Sequence, residues 1–156
     1  YSWWETRMTL LQWLANHWLE RDEPGRQEIS DLLDIVNRDL AACRSPGLAA
    51  DWQLAIAYNA ALEAATMALR ASGFRIPKGS GRHHQHTIES LTLTIEEDRS
   101  IVNRLQKLQK KRHTAGYDRA GTISDAEAKE MISLAEHLRK DVLAWLRERH
   151  PRLLQE

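Results

Sequence analysis

Between about Leu48 and Ser72 the chain runs without glycine or proline until Gly73, and places alanine at positions 55, 57, 60, 61, 64, 65 and 68. Alanine is the best helix former. A helix faced with methyl groups lets its neighbours approach the backbone closely. This stretch is therefore expected to be the central helix of a helical protein.

What surrounds it keeps the same period. Ser2-Trp3-Trp4-Glu5 has the Ser-x-x-Glu form of a capping box, and Trp4, Met8, Leu11, Ala15 and Trp18 then repeat at helical spacing as a core-facing stripe. Arg21-Asp22-Glu23-Pro24-Gly25 reads as a turn. A second helix follows, with Ile29, Leu32, Leu33, Val36 and Leu40 inward, and ends at Ser45-Pro46-Gly47. Residues 73–82 hold three glycines and a proline and form the only long linker. A short fourth helix is expected over His84–Ile95. A fifth runs from Asp98 to about Thr114 on Ile101, Leu105 and Leu108. The sixth opens at a second Ser-x-x-Glu box, Ser124-Asp125-Ala126-Glu127, and continues through Met131, Leu134, Leu138, Val142, Trp145 and Leu146 to Pro151. Nothing alternates with period two, so no sheet is expected. The fold class is all-α, a single domain over residues 1–156 built as an antiparallel bundle of five to six helices.

Composition narrows the setting. A chain of 156 residues buries roughly 68–70 % of its unfolded surface without staples. Cys43 is the only cysteine, so no disulfide forms within the chain, a cytoplasmic setting fits best, and the thiol is read as a small buried side chain. No apolar run approaches the length of a membrane span, and Glu5, Arg7 and Glu20 do not suit a signal peptide. The opening residue, Tyr1, is not a methionine, which is consistent with native residues preceding it.

Formal charge is zero but unevenly spread. Residues 70–119 carry eleven Lys/Arg against five Asp/Glu, a balance of +6, which leaves −6 for the rest. A basic surface on an acidic body points to nucleic acid or an acidic partner; a solvated helix face is the bland alternative. Lys107, Lys110, Lys111, Arg112 and His113 cluster near the end of the fifth helix. Cations there stabilise the helix dipole, and they also suit a phosphate-binding edge, with Arg112 as a bidentate donor. Tyr117 either stacks at that edge or closes the loop over the core. The histidines of Arg82-His83-His84-Gln85-His86 are not spaced to share one helix face, so no metal site is expected; His86 can still face a cleft beside the basic linker. Lys78-Gly79-Ser80-Gly81 lacks both the ending and the preceding strand of a phosphate loop.

The order of these motifs resembles the HEPN domain family (higher eukaryotes and prokaryotes nucleotide-binding). The resemblance is to its branch of small bacterial and archaeal proteins often paired with a minimal nucleotidyltransferase. Ala55-Ile56-Ala57-Tyr58-Asn59-Ala60 resembles that branch's small-x-x-Tyr-Tyr-Ala helix, with Asn59 in place of the second tyrosine. A glycine-bearing linker with histidines follows. Arg112-His113-Thr114-Ala115-Gly116-Tyr117 resembles its Arg-x-x-Ala-Asp-Tyr element, with Gly116 in place of the aspartate, and residues 122–128 resemble the opening of its last helix. The match covers about residues 50–146, with two further helices packed on that core.

The resemblance implies binding of a nucleotide or RNA, a nucleotidyltransferase protein partner, homodimerisation and a place in a toxin–antitoxin-type system. The family's ribonucleases resemble one another in an Arg-x(4–6)-His motif, and no arginine here has a histidine at that distance. A non-catalytic binding protein is therefore expected, without cofactor or catalytic residues. Its phosphate-binding candidates are Lys110, Lys111, Arg112, Tyr117, His86, Tyr58 and Asn59. The alternatives are an RNA-cleaving toxin with a rearranged site built on Arg112 and His86, and a structural helical interaction domain.

Overall fold

The structure, a computed structural model, describes residues 10–115 and 122–154. Residues 10–15 are the described part of helix α1. They are followed by α2 (Arg26–Ala42), α3 (Ala50–Ala71), α4 (His83–Glu89), α5 (Leu91–Thr94), α6 (Arg99–Ala115) and α7 (Asp125–Arg149), with a 3-10 turn at Pro151–Leu153. The fold is an all-α bundle, and α3 is at its centre, packed chiefly against α7 and α2. The alanine spacing explains why: Ala57, Ala60, Ala61, Ala64, Ala65 and Ala68 are all buried.

Cross-links between side chains give the direction of each neighbour. Glu28 near the start of α2 meets Arg70 at the end of α3, while Asp39 near the end of α2 meets Asn59 in the middle of α3. Arg104 early in α6 pairs with Glu130 of α7, and Lys111 late in α6 pairs with Glu127 at the opening of α7. Both pairs of helices are antiparallel. Ile29, Leu54, Leu105, Leu108, Met131, Leu138 and Leu146 fill the space between them. Cys43 is fully buried in this core, donates to the Leu40 carbonyl at 3.2 Å, and has its pKa pushed up by burial.

The second Ser-x-x-Glu box forms as expected: Ser124 Oγ accepts from the Glu127 N–H at 3.1 Å, and the Glu127 carboxylate accepts from the Ser124 N–H at 3.0 Å. The first box, with Trp4 and Met8, lies outside the described residues.

Three expectations are corrected. The stripe through Leu11, Ala15 and Trp18 faces outward, with Leu11 41 % and Trp18 40 % exposed; Leu10, Trp13 and Leu14 turn inward instead, one residue out of phase. Two apolar stripes one position apart compete on that helix, and Leu10, Trp13 and Leu14 take the core side. Next, a small antiparallel ladder exists where no sheet was expected: β1 (Glu20–Arg21) pairs with β2 (Phe74–Arg75). Two residues per strand are too few to leave a period in the sequence. Gly73, at φ +92°, ends α3 and turns the chain into β2, a conformation that glycine adopts without a Cβ penalty.

Finally, the expected helix over 84–95 is divided at Ser90 into α4 and α5. The hydroxyls of Thr87, Ser90, Thr92 and Thr94 donate to the carbonyls of His83, Thr87, Glu89 and Ser90, competing with the backbone ladder.

Candidate functional site

The linker after β2 is mostly exposed but borders a cleft. Ser80, Gly81 and Arg82, with His83, His84 and Gln85 of the first turn of α4, form one wall of a cleft of about 720 Å³. Tyr58 of α3 reaches it from the centre of the bundle, and Gln106, Gln109 and Lys110 of α6 close the opposite side. The volume suits a small organic ligand. Two full cations and two imidazoles line it, and no lining residue carries a carboxylate.

The α6 wall arises from helix geometry. Val102, Leu105 and Leu108 face the core, which places Gln106 and Gln109, three residues apart, side by side on the flank of that stripe. Gln106 Nε2 and Gln109 Oε1 are both buried and make no hydrogen bond within the described structure. A buried amide atom without a partner costs about 1–3 kcal/mol, and this wall holds two of them. Tyr58 is 6 % exposed, and burial pushes its pKa up to about 12, so its hydroxyl stays a neutral donor. Beside the cleft, Glu63 lies in the field of His84; burial and then the charge of Asp39 raise its carboxyl above the usual range.

Of the residues singled out in the sequence, Tyr58 and Lys110 are brought together in this cleft. Asn59 donates to Asp39 at 2.6 Å and ties α3 to α2. Lys111 is on the other flank of α6, where its ammonium donates to both Glu127 carboxylate oxygens at 2.9 and 2.7 Å. That flank is a smaller groove of about 350 Å³, shared with Arg104, Lys107 and Lys110. The Arg112 guanidinium stands 6.0 Å from the ring centre of Trp52, which is 57 % exposed. His86 stacks on Trp18 at 4.9 Å and tilts against Trp13 at 5.5 Å. Burial, helped by the charge of Arg82, lowers its pKa and favours the neutral ring. Tyr117 lies outside the described residues.

Sequence reading passed over Gln106 and Gln109, which look like solvated positions of an amphipathic helix, and tested Arg82, His83 and His84 only as a metal site. No family model matches the chain, and no curated protein or solved structure is significantly similar to it.

Proposed function

We propose that this chain is a nucleotide-binding helical protein whose cleft takes a mononucleotide or one nucleotide unit of an RNA. The observation that carries the reading is the lining of that cleft: Arg82 and Lys110 beside the two glutamines of α6, with no carboxylate among them. The cations answer a phosphate. Each amide offers both a donor and an acceptor, whichever way it is turned, and so answers the edge of a base. The resemblance of the sequence to a nucleotide-binding family supports the same reading. Binding rather than turnover is favoured by the absence of an Arg-x(4–6)-His pair.

Calorimetric titration with AMP, UMP, adenosine and inorganic phosphate tests this. A nucleotide should bind more tightly than either its nucleoside or phosphate alone. Arg82→Ala should weaken the nucleotide by roughly tenfold or more through the loss of charge-assisted hydrogen bonds, and Gln106→Ala should weaken nucleotide and nucleoside alike. No saturable nucleotide binding, or binding unchanged in both variants, would remove the site. Cleavage of a labelled RNA pool, lost in the Arg112→Ala or His86→Ala variant, would replace binding with a ribonuclease activity.

A further inference from the structure

We propose that Glu97, His137 and Asp141 form a binding site for a divalent transition cation of the Zn²⁺ type, separate from the cleft. His137 and Asp141 are four residues apart on α7 and so share a face of that helix. Glu97 comes from the loop between α5 and α6, where its N–H donates to the Leu91 carbonyl at 3.0 Å and fixes the turn. One donor atom from each side chain lies within 4.8 Å of the other two.

The spacing fits coordination. Zn²⁺ binds nitrogen and carboxylate oxygen at about 2.0–2.2 Å, which sets neighbouring donors roughly 2.8–3.6 Å apart for angles between octahedral and tetrahedral. Here His137 Nε2 is 2.8 Å from Asp141 Oδ2 and 3.5 Å from Glu97 Oε1. An imidazole with two carboxylates is a mixed donor set that suits a borderline cation better than Ca²⁺ or Mg²⁺, which take oxygen alone.

Burial supplies the second observation. The Glu97 side chain is only 7 % exposed, whereas His137 and Asp141 are 45 % and 37 % exposed. Glu97 is therefore not a solvated surface acid; its carboxylate is enclosed with a second carboxylate, that of Asp141, against it. Its Oε1 accepts from the Asp98 N–H at 3.1 Å, and the side chains acting on it are Asp141, hydrogen-bonded to it, and His137. Two carboxylates this close are relieved either by a shared proton or by positive charge between them, and one imidazole supplies at most a single unit. A divalent cation balances both and leaves the imidazole neutral as a ligand. The solvent-facing side of His137 and Asp141 leaves a coordination position for water. Bound there, the cation would join the α5–α6 loop to the middle of α7.

Zn²⁺ titrated calorimetrically into the full chain, with Co²⁺ absorption as a second readout, tests the site. Wild type should bind one ion with saturation and melt at a higher temperature when Zn²⁺ is present. His137→Ala and Asp141→Asn should each lose roughly tenfold or more in affinity together with the melting shift. Both change half-exposed positions, and circular dichroism without metal checks that they fold. A His83→Ala/His84→Ala double variant should keep the ion. No saturable binding by wild type would overturn the proposal, as would binding that survives in His137→Ala and Asp141→Asn or disappears in the double variant.

Discussion

Arg70 holds a full positive charge inside the molecule, with its side chain only 6 % exposed, at the point where α3 ends. It is surrounded by acceptors: both Glu28 oxygens, the nearer bond at 2.5 Å, Asp22 Oδ2 at 3.0 Å, and the carbonyls of Phe74 and Asp22 at 3.0 and 3.3 Å. The guanidinium thereby joins α2, α3, β2 and the turn at 21–25. Its two carboxylate partners are 42 % and 46 % exposed, so their loss and its loss are not equivalent. Removing Glu28 strands a buried cation on one carboxylate, whereas removing Asp22 keeps the two-pronged Glu28 contact. Glu28→Ala should therefore destabilise the protein by about 2–3 kcal/mol, and Asp22→Ala by less. Urea unfolding of the two variants against wild type measures the order, and equal costs would refute this account of the clamp.

At the scale of elements, much of the bundle was readable in advance because helix period is a local property. The alanines of α3, the inward residues of α2 and the Ser124–Glu127 box each declare themselves within a few positions. What escaped depends on partners distant in sequence or on close competition. The phase of α1 turned on the choice between Leu10-Trp13-Leu14 and Leu11-Ala15-Trp18. The break at Ser90 follows from hydroxyl bonds that no apolar pattern encodes. Glu97 meets His137 only once α7 has folded back along α6, so no local pattern brings the two together.

The junction of α6 and α7 also gives a dependence on pH. Lys111, and then the Ser124 N–H, hold the Glu127 carboxyl down at about 2, against an ordinary 4.5 in the unfolded chain. A depressed carboxyl contributes its stability above the unfolded value, and that contribution is lost as pH falls from 4.5 toward 2. Glu127→Gln should lower stability at neutral pH and flatten the acid limb between about pH 5 and pH 2. Urea midpoints followed across that range decide it; parallel curves for variant and wild type would mean that Glu127 does not carry the dependence.

Over the whole molecule, sequence alone gave a basic region of +6 without saying which cations are available to a ligand. Folding sorts them. Arg104 and Lys111 are committed to Glu130 and Glu127 on α7, so part of the apparent positive edge holds the bundle together. Arg82 and Lys110 both line the cleft, although they are distant in sequence. Salt dependence separates the two arrangements, because each phosphate contact to a single strand contributes about −0.7 to the slope of log K against log salt. Contact through Arg82 and Lys110 alone predicts a slope near −1.4 for a short single-stranded RNA, by that coefficient. Adding Lys107, Lys111 and Arg112 as a continuous edge would steepen it to about −3.5. We expect the shallow value. Arg82→Ala should reduce it by about 0.7, while Lys111→Ala should leave it unchanged and show instead as a loss of stability. A steep slope that Lys111→Ala diminishes would move RNA out of the cleft and onto the flank of α6.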